Sequence, residues 1–242
     1  MNIMLNLKSP MQSWGDSSHS MTAGTKRGSL PFPSYAGVIG LVSTCMGVNR
    51  DRDPESYSNL LHSVEYVSAF PRHSVSILTD FQTMGSGYDG SHDIHKYMGK
   101  RSATGSIRAT GYVNHARLCD DVEVTIGKLS NREYIEDNEF MVILSVDDSI
   151  SDRVVNALRN PVWFPVMGRS SCIPSSRILF EYGKSVDDLI ASMKSYWNVT
   201  DKLLAYTTAI PSVRYSKLEI HDVPNPNHKF KYHKRWIYKS II

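Results

Sequence analysis

The chain is predicted to adopt an α+β fold: a ferredoxin-like (RRM-like) domain with a basic insert, followed by a smaller C-terminal β-rich part. Three observations lead there. Apolar residues alternate at Ile3, Leu5 and Leu7, the period of a half-buried strand. Ser34 stands before a nearly unbroken apolar run at 36–46 that Gly47 closes, the outline of a capped, buried helix. Later elements complete the order strand, helix, strand, strand, strand, helix.

The first strand covers 2–7, and a polar, glycine-bearing loop runs from it to Pro31, Phe32 and Pro33. In the helix behind them, Gly37 and Gly40 leave the small surface that lets a helix approach a sheet closely. Residues 64–69 and 75–81 read as the next strands, broken at Pro71-Arg72, and 139–146 is the clearest strand in the sequence. Ser149 or Ser151 caps a second helix, with Val154, Val155 and Leu158 inward and Asn160-Pro161 as its stop. A strand at 178–182 precedes an amphipathic helix marked by Val186, Leu189, Ile190, Met193 and Trp197. The ferredoxin-like domain is assigned 1–165, and 166–242 a glycine-rich loop and C-terminal β-rich part packed on it as a smaller sheet layer. The insert at 82–117 is long for a compact domain and is expected to project and to carry function.

A chain of 242 residues buries a core of useful size. Its charged fraction is 21% and its apolar fraction 41%, both ordinary for a globular protein. No apolar run is long enough to span a membrane, and residues 1–8 read as a strand, not as a signal peptide. Cys45, Cys119 and Cys172 are odd in number and far apart, which argues against a zinc site or disulfide framework and fits a reducing cytoplasm. A net charge of +3 is small, but its distribution is uneven. Residues 94–119 carry Lys96, Lys100, Arg101, Arg108 and Arg117 with no acid. Residues 228–239 carry five more basic residues interleaved with Phe230, Tyr232, Trp236 and Tyr238. Two basic strips facing one partner, with an acidic face turned away, are expected.

Two segments concentrate the chemistry. At 10–15 stand Pro-Met-Gln-Ser-Trp-Gly, and at 166–172 Val-Met-Gly-Arg-Ser-Ser-Cys. In the second, Gly168 permits a tight turn, Ser170 and Ser171 offer hydroxyls, and Arg169 suits a bidentate phosphate contact. Gln12 and Trp14 fit a base-reading and base-stacking pair, although Trp14 fits equally as a plug in the core. Ser34, Tyr35 and the amides that open the first helix form a candidate phosphate site, over which Lys26 and Arg27 could close. His92-Asp93-Ile94-His95 has metal-ligand residue types but sits in a Gly/Ser-rich loop without further ligands, so no metal is expected. No cofactor-binding motif and no G-x-S-x-G nucleophile motif is present.

These segments resemble the RAMP superfamily of CRISPR RNA-binding proteins, in particular the CasD-type subunits of type I-E Cascade complexes. The resemblance rests on the blocks at 10–15, 32–50, 167–172 and 234–238, in that order, with weaker similarity at 79–83. It implies a non-catalytic subunit that grips the 5′ handle of the CRISPR RNA, caps the filament of the backbone subunit CasC and seats the large subunit CasA, with target DNA nearby. It also implies that the insert is a hairpin thumb laid across the guide, making Lys96, Lys100, Arg101 and Arg108 phosphate contacts. The alternative is a metal-independent endoribonuclease that processes precursor CRISPR RNA; the absence of a tyrosine at the end of the first helix weighs against it. A free-standing RRM-like protein is a third reading, without the RNP pattern to support it.

Overall fold

A computed structural model describes residues 1–15, 26–84, 116–117, 123–124, 128–225 and 232–242. The first strand, β1 (Asn2–Gln12), is longer than its apolar alternation suggested, because it pairs along its whole length with a long later strand. Short strands β2 (Trp14–Gly15), β3 (Lys26–Arg27) and β4 (Ser29–Leu30) follow. Helix α1 (Tyr35–Met46) is capped as expected: Ser34 accepts a hydrogen bond from the Gly37 amide, and Gly47 closes the helix at φ 71°.

Helix α2 (Pro54–Ser63) was not foreseen from its polar sequence, although its start is written there: Asp53 accepts from the Ser56 amide and Pro54 opens the first turn. Strands β5 (Val64–Pro71) and β6 (Ile77–Met84) follow. Then come β7 (Ala116–Arg117), β8 (Glu123–Val124) and the long β9 (Lys128–Val146). Helix α3 (Asp148–Arg159) begins after Asp147, not at Ser149 or Ser151; the Ser151 hydroxyl donates instead to the Asp148 carbonyl. The chain ends with β10 (Leu179–Tyr182), α4 (Val186–Trp197), β11 (Leu204–Thr207), β12 (Tyr215–Pro224) and β13 (Tyr232–Ile241).

The main sheet runs β10-β1-β9-β5-β11-β13-β12. Its first part, β10-β1-β9-β5, is antiparallel throughout, with β9 lying between β1 and β5, the split βαβ arrangement. The C-terminal strands, expected as a smaller sheet layer, instead extend this sheet from the edge of β5. Both faces are covered over the centre. On one face α1, α2 and α3 pack through residues such as Ile39, Leu60 and Val154 onto Ile3, Leu5 and Val142. On the other, Leu189, Met193 and Trp197 of α4 pack onto Met4, Met141 and Ile143. Successive residues of β1 and β9 thus point into two different cores, so these strands read as apolar runs.

Beyond that centre, β6 pairs with the first half of β9 from Ile77↔Ile135 to Met84↔Lys128. Asp137, with a φ of 34°, lies between the part of β9 paired with β5 and the part paired with β6. Residues 82–84 still belong to β6 and the return strand starts at Lys128. Lys96, Lys100, Arg101, Arg108 and the His92–His95 cluster lie outside the described residues.

Candidate nucleic-acid interface

The two loops singled out in the sequence meet. Where β1 ends, the Ser13 amide donates to the Met167 carbonyl at 3.1 Å, and the Ser13 hydroxyl donates to the Glu133 carbonyl at 3.2 Å. Gly168 lies directly against this join. Its φ is 92°, and a Cβ built on it would come 1.6 Å from the Ser13 carbonyl oxygen. Glycine is therefore required twice, for its left-handed backbone and for the closeness of the two chains. Buried Met167 and Cys172 anchor the turn, and it closes by Met167 N–H to Cys172 O (2.8 Å) and Cys172 N–H to Arg169 O (2.9 Å).

Gly168, Ser170 and Ser171 are exposed and Arg169 is half-buried. The Arg169 guanidinium lies over the Tyr134 ring at 4.5 Å. Tyr134, on the outgoing half of β9, takes part in side-chain hydrogen bonds with Arg169, Ser171 and Arg132. Burial alone would raise its phenol pKa, but these bonds and the Arg169 charge bring it below the ordinary value. Next to it, β3 pairs in parallel with β9, setting Lys26 beside Asn131 and Arg27 beside Arg132. Ser29 ties β4 to the same place, donating its amide to Glu133 Oε2 and accepting from the Trp14 amide. Arg132, Arg169 and the backbone of Lys26 and Arg27 thus gather at the root of the β6–β9 ribbon.

Two expectations are corrected. Gln12 and Trp14 are both fully buried, and a ring without accessible surface offers no face to a base. The Trp14 indole N–H donates to Gln12 Oε1 at 3.0 Å, and Gln12 Nε2 donates to the Leu7 and Asn138 carbonyls. The ring fills the space above Gly37, where a Cβ would sit 2.7 Å from it. Trp14 is the core plug. Gly40, by contrast, has nothing within 4 Å of an added Cβ; its carbonyl accepts the Ser43 and Thr44 hydroxyls.

The start of α1 is also occupied from within. The Tyr35 amide donates to Asp222 Oδ2 at 2.6 Å, so the anion that a helix N-terminus favours is the protein's own carboxylate. Arg235 holds that carboxylate through two bonds, Nε to Oδ1 at 2.6 Å and Nη2 to Oδ2 at 2.8 Å. Asp222 and Ser34 are each 2% exposed. The Tyr35 hydroxyl donates to the Leu61 and Val64 carbonyls, and burial, offset in part by Arg235, pushes its pKa up to about 12. Ser34 and Tyr35 build the fold and present nothing to a phosphate.

Sequence reasoning missed Phe81, which is 63% exposed on β6 beside Ile77 and Leu78. Alternation along the ribbon sets it on the face opposite Asp80 and Arg132. An aromatic in an alternating strand looks the same in sequence whether it faces core or solvent. Among the described residues no cluster of His, Cys, Asp and Glu could hold a metal ion, and no helix is long and apolar enough to cross a membrane.

Comparison with known proteins places these observations in a family. The chain is 28% identical over 181 residues to the Cascade subunit CasD of the CRISPR system of Escherichia coli (strain K12), covering 74% of this chain and 69% of that protein. A solved structure described as a CRISPR RNA-guided surveillance complex superimposes with a TM-score of 0.66 at 22% identity, covering all of this chain and 90% of the other. Another, described as a Cas protein, gives 0.60 at 17% identity, covering all of this chain and 94% of the other. These likenesses show a shared α+β fold. A family model described as CRISPR-associated protein (Cas_Cas5) matches residues 2–235, nearly the whole chain, and the chain belongs to that Cas5 family.

Proposed function

We propose that this protein is a non-catalytic RNA-binding subunit of a type I-E Cascade surveillance complex, gripping the 5′ handle of the guide RNA. In that position it caps the CasC filament beside the PAM-reading subunit CasA, in antiviral defence or RNA-guided DNA targeting. The observation that carries the reading is the contact of Ser13 with Met167 and Gly168. It seats the Gly168–Ser171 turn against the end of β1, with the exposed Ser170 and Ser171 hydroxyls and the Arg169 cation as groups that phosphate oxygens accept from. Holding the end of the guide requires positioning and no bond cleavage, because phosphate contacts set register while base pairing reads the target. The ribbon that rises beside Arg132 and Arg169 leads into the basic segment at 82–117, the thumb that would lie across the guide.

The test is a filter-binding titration of RNA carrying the repeat-derived handle. Arg169→Ala is expected to weaken binding by about 1–3 kcal/mol, the scale of a lost charged hydrogen bond. Unchanged affinity removes the Gly-Arg loop from the RNA path and takes the proposal with it.

A further inference from the structure

The basic and aromatic strip near the C-terminus plays no part in the interface above, and the fold gives it a surface of its own. Ala205 of β11 packs in the core under α4 and lies opposite Ser240 of β13. Alternation along β13 therefore puts Tyr238, Trp236 and Lys234 on the α4 face of the sheet. The cross-strand partners on β12 are Lys217 for Tyr238, Glu219 for Trp236 and His221 for Lys234. The core under α4 takes in β11 but no residue of β12 or β13, and the hairpin face past it is open. Trp236 is 42% exposed and Tyr215 44%, and Lys217 and Lys234 are exposed on the same face.

The exposed part of the ring carries the Lys217 ammonium 3.8 Å from its centroid, and Tyr215 stands edge-on to Tyr238 at 5.2 Å. Lys217 has no carboxylate partner among the described residues, while Glu219 is held by Lys234 at 3.9 Å and His221 at 3.5 Å. The face thus has two lysines against one acid. Lysine is depleted from the centre of protein interfaces, which disfavours a protein partner. Side by side, an aromatic plane and a cation are what one nucleotide requires, a surface for the base and a counter-charge for its phosphate.

The geometry points to a second binding surface, for a single strand of nucleic acid, on the open face of the β12–β13 hairpin, with Trp236 as the stacking platform and Lys217 and Lys234 as phosphate contacts. Arg235 is excluded from it: its side chain turns to the other face and is spent on Asp222.

The test uses the full chain with labelled oligouridylate and oligothymidylate in fluorescence-anisotropy titrations over a salt series. Trp236→Ala is expected to weaken binding about tenfold, the loss of one stacked base, and Trp236→Phe to restore most of it. Lys217→Ala with Lys234→Ala, both at exposed positions that leave the core untouched, is expected to flatten the log–log salt slope by about 0.7 for each cation removed. Loss with both oligomers assigns the surface to any single strand; loss with oligouridylate alone assigns it to RNA. Unchanged affinity in Trp236→Ala together with an unchanged slope in the double variant overturns the inference. If Arg169→Ala abolishes binding while the hairpin variants do not, the hairpin proposal fails and the Gly-Arg loop stands. The reverse result retains the hairpin and removes the loop.

Discussion

Replacing Gly168 with alanine tests the join between the two loops most directly. The new methyl carbon would lie 1.6 Å from the Ser13 carbonyl oxygen and 2.7 Å from its carbon, both backbone atoms that no rotamer change can move aside. The loop must open, and the Ser13 amide to Met167 carbonyl bond is lost. That bond is worth about 1 kcal/mol, a non-glycine residue at positive φ costs about 1–2 kcal/mol, and forced overpacking adds about 1–3 kcal/mol. A loss near 4 kcal/mol lowers the melting temperature of a chain this size by roughly 8–16 °C.

Gly183 supplies the control, because its φ is also positive, at 80°, but nothing lies within 4 Å of an added Cβ. Gly183→Ala should cost only the backbone preference, about 1–2 kcal/mol. The difference between the two variants in thermal melts followed by circular dichroism isolates the contact. RNA affinity should fall only for Gly168→Ala. Equal melting temperatures for the two variants would show that the turn is not seated against the end of β1.

Asp222→Ala strips the Tyr35 amide and the Arg235 guanidinium of their partner and should cost about 3–5 kcal/mol in urea unfolding; a loss below about 1 kcal/mol would mean that the start of α1 is open to other anions. Burial pushes the Cys45 thiol from 9.0 up to about 11 and the Tyr35 phenol from 10.0 up to about 12. Both keep their protons longer when folded, so their stabilisation is full below pH 9 and falls as pH rises toward 12, by on the order of 2 kcal/mol each. Stability that stays flat across that window in alkaline urea titrations would contradict it. Incubated in EDTA with repeat RNA, the pure protein should leave the RNA intact; cleavage at one fixed site would restore the endoribonuclease reading.

The parts legible in the sequence are those decided within a few residues. Ser34 and Gly47 announce both ends of α1 because caps act over a single turn. The spacing of Val186, Leu189, Ile190, Met193 and Trp197 likewise outlines α4. The Gly-Arg-Ser-Ser turn stands out because glycine permits a tight turn beside hydroxyls and a cation, groups from which phosphate oxygens accept. Helix α2 is hard to read because its face is mixed, with Tyr57 and Leu60 alone buried. The ends of β1 and β6 extend past their apolar alternation because their extra residues are held by pairing with β9.

The order of amino acids was enough to establish the α+β class, both caps of the first helix and a glycine-bearing turn at 168–171. Which of the marked residues face outward was settled by the packed fold. Tyr35 and Asp222 are 187 residues apart, and the Ser13 and Met167 backbones, also far apart in the chain, share a hydrogen bond. Such meetings depend on strand register, in which a shift of one residue turns every side chain to the other face. Register is set by the whole sheet and its two cores at once, so no local pattern could reveal that Trp14 is a core plug while Trp236 faces solvent.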